Sequence, residues 1–461
     1  MDIIKFGTDG WRAKIGKGFT FENLARVVDA YAVYLKRKRA KTIAAGYDNR
    51  FLSDKYCAFA AERLASYGFK VYTFGEAVHT PLVSFAVKER NLDSGIMITA
   101  SHNPYEYNGF KIKNRHGAGA SPAETAAVEK LIRQGKKPAG KKGGVHVIDM
   151  AQAYTAALRR IVNTDIIKKS SMKIVVDYMY GSAAGCFERA LGGYKNIIAI
   201  NNRRDPFFGG INPEPVRKNL LSLEAAVKKH RADIGLAVDG DGDRMAMVSD
   251  RGQYITTHKA LVGLMFYHLK HRKEKFKFAK TVSGTSLLDR MAREYSVPII
   301  TTPVGFKHIA GIMIKDKTVI GGEESGGMGF GYFVPERDGI LTGLIILELL
   351  AREGVKISGF LNRLDKKYGE YIYDRADTFF PKKDREDILG RVRAVEKKGV
   401  IAGKRIIQTD KTDGIKYVIS DREWLLFRFS GTEPLLRIYS EGPSKKEVKD
   451  NLAFGRKTAG M

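Results

Sequence analysis

Short apolar runs and amphipathic stretches alternate along the first hundred residues. A helix that Thr20 can cap is predicted first, because apolar residues recur there on one helical face: Leu24, Val27, Val28, Tyr31 and Leu35. Further helices are predicted at residues 55–67 and 82–90, and strands at residues 42–45, 70–74 and 95–98. Strands that alternate with helices predict α/β units on a mostly parallel or mixed sheet.

The same alternation restarts twice further along the chain. A stretch rich in glycine, lysine and proline at residues 135–144 is a predicted boundary, and the next strands are expected at residues 173–177, 197–200, 234–238 and 245–248. A third round begins near His258, with strands near residues 281, 298–302 and 318–320 and an apolar helix at about 338–352. The rhythm changes from about Glu370, where a strand-turn-strand is predicted at residues 415–426.

Length and composition are those of a multidomain globular protein. The chain has 461 residues, of which 44% are hydrophobic and 28% charged, so about three or four domains are expected. Residues 1–5 lack the pattern of a targeting signal, and the apolar run at 340–350 is too short to cross a bilayer. Cys57 and Cys186 lie far apart and are expected to be buried free thiols. These features favour a cytoplasmic protein that does not bind membranes.

The formal net charge of +28 permits binding of nucleic acid or of smaller anions. The basic residues are scattered, with the densest runs at residues 136–142 and 270–280, and we find neither zinc-finger spacing nor an aromatic RNA-binding motif. We therefore expect no nucleic-acid partner, and a positive field that attracts phosphorylated metabolites.

Residues 99–104 read Thr-Ala-Ser-His-Asn-Pro directly after an apolar run. Asn103 and Pro104 favour a turn, so Ser101 is expected at the end of a strand, held out on a rigid stem. Ser101 could be only a helix cap, and the sequence around it lacks the G-x-S-x-G elbow of a hydrolase. His102 is adjacent and cannot easily turn back as its base. Phosphorylation of Ser101 is the better interpretation.

Residues 239–244 read Asp-Gly-Asp-Gly-Asp-Arg, again after an apolar run. In an extended backbone alternate side chains point the same way, so three carboxylates can converge on one cation. Oxygen ligands of this kind suit Mg²⁺. An EF-hand is disfavoured because Arg244 takes the place of its glycine and Asp250 that of its glutamate. A solvated acidic turn without metal remains the alternative. A phosphate on Ser101 would supply the missing metal ligand.

Two further loops offer phosphate and sugar ligands. Arg428 and Arg437 can bind phosphate oxygens, while the intervening Ser430, Gly431 and Thr432 offer hydroxyls and an open backbone. A plain hairpin turn is the alternative for this segment. Residues 322–326, Gly-Glu-Glu-Ser-Gly, can hold sugar hydroxyls. Because ligands of open α/β sheets bind beyond the carboxyl ends of strands, these loops could meet at one cleft between domains.

These motifs, with Phe-Gly-Thr-Asp-Gly-Trp-Arg at residues 6–12, resemble the α-D-phosphohexomutase superfamily over the whole chain. The resemblance implies an α/β fold of three similar α/β/α domains with mixed sheets and a C-terminal α+β domain around a central cleft. On this chain the domains would span residues 1–145, 146–253, 254–368 and 369–461.

The resemblance also implies a role for each motif. Ser101 would be the phosphoserine, and its phosphate would bind Mg²⁺ together with Asp239, Asp241 and Asp243. Arg12 and Arg244 would neutralise the reacting phosphoryl group, with Lys111, or less well His102, in proton transfer. The sugar would lie against Glu323 and Ser325 and the loop with Gly305 and Lys307. The phosphate that is not transferred would be held by Arg428, Ser430, Gly431, Thr432 and Arg437.

The implied reaction interconverts glucose 1-phosphate and glucose 6-phosphate through a hexose 1,6-bisphosphate, which also serves as activator. The Glu-Glu-Ser-Gly-Gly loop looks more like that of glucose-selective members, since members that act on both sugars often have Met at position 324 and His at 327. A phosphomannomutase or a dual-specificity enzyme is the alternative, with a phosphoglucosamine mutase less favoured. A catalytically silent sugar-phosphate-binding protein would use the same loops, but the intact serine and acidic triad argue against it. We expect a monomer or homodimer.

Overall fold

A computed structural model describes residues 3–7, 9–138, 143–272, 274–431 and 433–461. The first domain is built on a six-stranded sheet that is flanked by helices. Its strands are β1 (Trp11–Lys14), β2 (Thr42–Tyr47), β3 (Lys70–Phe74), β4 (Ser94–Ile98), β5 (Tyr107–Lys113) and β6 (Gly144–Ile148). Its helices are α1 (Phe21–Arg37), α2 (Ser53–Ser66), α3 (Thr80–Glu89) and α4 (Pro122–Gln134). The Thr20 side chain accepts a hydrogen bond from Asn23 N and caps α1, as predicted.

This first sheet is mixed, with the strand order β1-β5-β4-β2-β3-β6. Strands β2, β3, β4 and β6 are parallel to one another, and β5 is antiparallel to both of its neighbours, β4 and the edge strand β1. β6 pairs with β3 along its whole length, so a domain boundary after residue 145 would divide a strand. We therefore propose a boundary after residue 148, which keeps the whole of β6 with the first sheet.

The second sheet has five strands in the order β11-β10-β9-β7-β8. This part of the chain comprises α5 (Ala151–Ile161), α6 (Thr164–Lys169), β7 (Ile174–Asp177), α7 (Cys186–Leu191), β8 (Ile197–Ile200), α8 (Leu221–His230), β9 (Ile234–Val238), β10 (Met245–Ser249) and β11 (Tyr254–Ile255). β7, β8 and β9 are parallel, and β10 and β11 are antiparallel to their neighbours. Since β11 completes this sheet, a boundary after residue 253 would cut it, and we propose one after residue 255.

The third sheet has four strands in the order β13-β12-β14-β15. Its part of the chain comprises α9 (Thr257–His271), β12 (Lys277–Thr281), α10 (Ser286–Glu294), β13 (Ile299–Thr302), α11 (Phe306–Lys315), β14 (Val319–Gly322), β15 (Met328–Phe330), α12 (Gly339–Glu353) and α13 (Ile357–Tyr368). β15 alone is antiparallel to its neighbour, so this sheet is also mixed.

The last sheet is antiparallel throughout, in the order β16-β22-β21-β20-β19. Its part of the chain comprises β16 (Ile372–Phe379), α14 (Arg385–Lys398), β17 (Val400–Ile401), β18 (Lys404–Arg405), β19 (Gln408–Asp410), β20 (Ile415–Ser420), β21 (Glu423–Phe429), β22 (Leu435–Gly442) and α15 (Lys445–Ala459). Three mixed α/β domains and a C-terminal α+β domain are the fold class that the sequence predicts.

The apolar run at residues 340–350 forms the buried part of α12. Every residue from Gly339 to Leu350 is buried, because the helix packs against α6, α7 and α9 in a core that joins the first three domains. No helix among the described residues is both long enough and apolar enough to span a bilayer. The N-terminus of α12 contacts the loop at residues 239–244, which we call the acidic loop. Gly339 N donates a hydrogen bond to Gly242 O there at 3.1 Å. The central helix therefore fixes the acidic loop against the core.

Candidate active site

Ser101 lies in the turn after β4, and the structure buries it completely. Its Oγ donates a hydrogen bond to Asp239 Oδ2 at 3.0 Å. The expectation of a serine held out from the fold is wrong in this respect. The reason is a left-handed backbone, with a φ of 54°, that packs the turn against the acidic loop. A Cβ at Gly240 would lie 2.8 Å from Ser101 O, so only glycine allows this approach.

The three aspartates of the acidic loop converge, but not through an extended backbone. Residues 239–243 form a turn in which Gly242 has a φ of 73° and donates its N–H to Asp239 O at 3.0 Å. Ligand oxygens of Asp239, Asp241 and Asp243 nevertheless lie within 4.8 Å of one another, and all three side chains are buried. The predicted convergence is confirmed, while its predicted geometry is wrong because glycine allows a tighter turn.

The electrostatics of the acidic loop suit a divalent cation. Burial, and then the Asp243 and Asp241 carboxylates, raise the pKa of Asp239 well above its ordinary value. Among the described residues, Asp241 Oδ1 and Asp243 Oδ1 are buried without a hydrogen-bond partner. Buried unpaired carboxylate oxygens are costly, and hard cations such as Mg²⁺ prefer oxygen ligands. The donor set therefore fits a magnesium ion.

Lys111, on β5, contacts the same acidic groups. Its Nζ lies 2.8 Å from Asp9 Oδ2, 2.8 Å from Asp241 Oδ2 and 3.1 Å from Asp243 Oδ2. Burial opposes the charge of Lys111, but these carboxylates outweigh it and raise the pKa above its ordinary value. Burial likewise opposes ionisation of Asp241, yet Lys111 and the Thr80 hydroxyl at 2.5 Å hold its pKa below the usual range. Lys111 is thus held as a charged ammonium group among these three carboxylates.

Arg337 is a charged residue of this site that the sequence did not reveal. Its Nη2 donates to Asp243 Oδ2 at 2.7 Å and to Asp9 Oδ2. One guanidinium from the third domain therefore joins a carboxylate of the first domain to one of the second. Arg337 sits in an ordinary-looking loop before α12, so no local pattern marks it, whereas Asp9 could have been found in the motif at residues 6–12.

Arg12, His102 and Arg244 line the cleft beside the serine turn. Arg12 Nη1 donates to Asn103 Oδ1 at 2.8 Å. Glu214 Oε1 lies 4.0 Å from both His102 Nε2 and Arg244 Nη1, and it is a further residue that the sequence did not reveal. Burial, followed by the two arginines, holds the pKa of His102 well below its usual range, so this imidazole is neutral at pH 7.

The two glutamates of the loop at residues 322–326, which we call the sugar loop after its predicted role, have different partners. Glu323 Oε1 accepts from Gly305 N at 2.9 Å, and burial, opposed by Arg337 and aided by Glu324, raises its pKa to about 7. Glu324 Oε2 accepts instead from Ser283 Oγ at 2.7 Å and Thr281 Oγ1 at 3.1 Å, at the end of β12. Lys307 and Ser325 line the cleft with Glu323.

The basic loop of the last domain faces the same cleft. Arg428, Ser430, Gly431 and Arg437 line it, while Thr432 lies outside the described residues. Asp413 Oδ2 accepts from Arg428 Nε at 2.7 Å and from Val304 N at 3.0 Å, which ties this loop to the third domain. Arg375, on β16, is a third arginine of the last domain that lines the cleft, and the sequence did not reveal it.

The cleft measures about 790 Å³ and takes residues from all four domains. Its lining includes Arg12, His102 and Arg244, the glutamates and serine at residues 323–325, and the arginines of the last domain, whereas Ser101 and the three aspartates are buried and are not among the lining residues. Four loops that are distant in sequence thus meet, as expected from their positions after strands. The arrangement can hold a doubly charged anion at each end of a sugar-sized molecule.

Comparison with known proteins agrees with this geometry. Four family models described as phosphoglucomutase/phosphomannomutase match the chain: α/β/α domain I at residues 4–139, domain II at 152–252, domain III at 258–368, and the C-terminal domain at 389–453. A phosphoglucomutase/phosphomannomutase of Thermococcus kodakarensis is 32% identical over 461 residues, covering 98% of this chain and 97% of its own length. A phosphoglucosamine mutase of Caldicellulosiruptor bescii is 32% identical over 463 residues, covering 96% of each chain.

A crystal structure of similar shape comes from Thermus thermophilus, from a protein whose name assigns it to the phosphomannomutases. It superposes with a TM-score of 0.89 at 33% identity and covers 100% of both chains.

Proposed function

Because this chain belongs to the phosphoglucomutase/phosphomannomutase family and is therefore a phosphohexomutase, we propose that it interconverts glucose 1-phosphate and glucose 6-phosphate. The observation that supports the proposal is one cleft lined by His102 next to Ser101, by Arg244 next to the three aspartates, and by the basic loop of the last domain. Ser101 itself is buried beside this cleft and bonded to Asp239. A phosphate carrier at one end and a phosphate-binding loop at the other suit a substrate that carries phosphate at either end.

In the proposed reaction, Ser101 carries a phosphoryl group and gives it to a hydroxyl of the bound hexose phosphate. The bond between phosphorus and Ser101 Oγ breaks, a bond to the sugar oxygen forms, and the proton of that hydroxyl leaves as Oγ gains one. The hexose 1,6-bisphosphate then turns over, and its other phosphate returns to Ser101. The same bisphosphate would phosphorylate resting enzyme, and thereby act as activator.

Positioning and electrostatic stabilisation carry most of the rate in phosphoryl transfer. Arg12 and Arg244 would neutralise the transferring group from the cleft side. Asp239, Asp241 and Asp243 would hold Mg²⁺, and its charge would offset that of the phosphoryl oxygens. Lys111, or less well the neutral His102, would take part in proton transfer.

The residues of the far wall would hold the rest of the substrate. Arg428, Ser430, Gly431, Thr432 and Arg437 would bind the phosphate that is not transferred, with Arg375 beside them. Glu323 and Ser325 would hydrogen-bond sugar hydroxyls, and the loop of Gly305 and Lys307 would test their orientation.

Glucose preference is supported by the Glu-Glu-Ser-Gly-Gly loop, in which Glu324 turns away from Glu323 to the hydroxyls at the end of β12. The names of the relatives include phosphoglucosamine mutase and phosphomannomutase, so dual specificity is the alternative.

We propose a cytoplasmic enzyme, supported by the free thiols of Cys57 and Cys186. We also propose that it acts as a monomer or homodimer on phosphorylated hexoses.

The test is an isomerisation assay with the 1-phosphates of glucose, mannose and glucosamine, primed with a hexose 1,6-bisphosphate. We expect turnover of glucose 1-phosphate to be fastest, to stop when the enzyme is treated with a chelator, and to return with Mg²⁺. Absence of turnover on all three sugars would refute the proposed activity. Equal rates on mannose would refute glucose preference.

A further inference from the structure

The left-handed backbone of Ser101 is held on both sides by hydrogen bonds. Such a conformation is strained for a non-glycine residue and persists only where the surroundings determine it. The N–H of Ser101 donates to Thr99 Oγ1 at 2.8 Å, and its carbonyl accepts from Arg50 Nη2 at 2.6 Å. One of the two supports is therefore a side chain from another loop, the one between β2 and α2.

Arg50 directs the N–H donors of Nη1 and Nη2 at the backbone around Ser101, whereas its Nε pairs with Asp48 by charge and makes no hydrogen bond to a described residue. Its Nε lies 3.2 Å from Asp48 Oδ2. Nη1 and Nη2 donate at 2.6–3.0 Å to four backbone carbonyls, those of Ser101, Asn103, Pro104 and Tyr107. A guanidinium has five donors in a rigid plane, whereas an ammonium has three. The pattern of acceptors around the turn therefore requires an arginine.

Asp48 closes this network into a ring. Its Oδ1 accepts from Arg50 N at 3.1 Å and from Ser53 Oγ at 3.0 Å, and its Oδ2 accepts from Thr99 Oγ1. Thr99 Oγ1 in turn accepts from Ser101 N. Both peptide groups that flank the Ser101 side chain are thus linked to the Arg50–Asp48 pair, which fixes the direction of Oγ.

Arg50 does not touch the cleft. Its side chain is wholly buried, and the ring of Phe208 from the second domain lies 4.9 Å from the guanidinium carbon. Asn49 Nδ2 donates to Tyr180 O at 2.8 Å and joins the same loop to the second domain. Because Asp48 balances its charge and protein covers it, Arg50 can act on the reaction only through the serine turn.

We propose that Arg50 is a positioning residue for phosphoryl transfer, which holds the Ser101 turn so that Oγ faces the acidic loop. This inference rests on the proposed function, since it assigns Ser101 as the phosphate carrier. Misplacement of a reacting group by about 1 Å can reduce the rate of an enzyme about 100-fold. An ammonium group in place of the guanidinium has three donors for four carbonyls, so at least one carbonyl loses its donor and we expect the turn to shift.

The test compares Arg50→Lys with the wild-type enzyme. We expect kcat to fall about 100-fold with KM for the hexose phosphate close to the wild-type value, because substrate-binding residues are untouched. Transfer of labelled phosphate from a hexose 1,6-bisphosphate to Ser101 should slow by the same factor. Both are measured well below the melting temperature of each variant, so that only folded protein contributes.

The matched control is Arg63→Lys, which disrupts another paired arginine of the same domain. Arg63 binds Asp29 through Nε at 2.5 Å and Nη2 at 2.8 Å, away from the serine turn. We expect this variant to melt earlier and to keep the wild-type kcat. If Arg50→Lys also only melts earlier, or loses affinity for the substrate instead of kcat, Arg50 is merely structural.

If Arg50→Lys does not fold, the same kinetic measurements are made on Thr99→Val, which removes the hydroxyl that accepts from Ser101 N. A lower kcat at unchanged KM supports the proposal, and a wild-type kcat overturns it. Lack of turnover in the wild-type enzyme would refute the proposed function itself, whereas an active wild type with an unaffected variant would refute only the role of Arg50.

Discussion

Ser101 and Glu323 show how burial adapts ordinary side chains to this cleft. Ser101 lies beside Asp239 with its backbone in a strained conformation, so its hydroxyl has one direction. Glu323 is buried against Gly305 N, and its carboxyl group titrates with a pKa of about 7. Both residues are held by contacts with the backbone or side chains of other loops. Their chemistry therefore depends on the assembled site.

A pH dependence follows for Glu323. Below about pH 7 this carboxyl group is protonated, and above it the ionised group accepts hydrogen bonds from sugar hydroxyls more strongly. We therefore expect KM for the hexose phosphate to fall as the pH rises through about 7, and this inflection to be absent in Glu323→Gln. The substrate phosphate titrates equally with both enzymes. A KM profile of the same shape in both would contradict the role of Glu323.

Helices and strands follow closely from the spacing of apolar residues, and loop conformations do not. Strand β3 at Lys70–Phe74 and the Thr20 cap agree with the prediction, because local spacing determines which face is buried. The predicted boundaries cut β6 and β11 away from their sheets, since pairing with a sheet edge depends on distant strands. The ion pairs of Arg337 could not be predicted from the sequence for the same reason, because Asp9 and Asp243 lie in other domains.

The N-terminus of α12 offers a test at the level of an element. Asp338 caps this helix by accepting from Leu341 N at 2.8 Å, and Tyr154 Oη donates to it at 2.8 Å. Asp338→Ala should destabilise the protein by about 1–2 kcal/mol through loss of the cap. The melting temperature should fall, and Asp338→Asn should retain most of it, because asparagine also caps helices. Unchanged melting of Asp338→Ala would show that the cap is dispensable.

At the scale of the whole molecule, the site exists only where four domains meet. Arg337 links the first three through Asp9 and Asp243, and Asp413 ties the basic loop of the last domain to the third. The chain carries a net charge of +28, and arginines from all four domains line the cleft in which we propose that anionic substrates bind. A field of this sign raises the local concentration of such substrates and speeds their capture.

This charge predicts a steep dependence on salt. We expect kcat/KM for the hexose phosphate to fall about tenfold between low and physiological ionic strength, as mobile ions screen the field. The turnover number at saturating substrate should change little, which serves as the internal control. If kcat/KM does not respond to salt, the excess of basic residues has no part in substrate capture.

The central claim is that Ser101 carries the phosphoryl group. The most direct measurement is to incubate the enzyme with labelled hexose 1,6-bisphosphate, map the phosphorylated peptide, and repeat both steps with Ser101→Ala. We predict label on Ser101 alone, and neither label nor turnover in the variant. Label on another residue, or an active Ser101→Ala enzyme, would contradict the account.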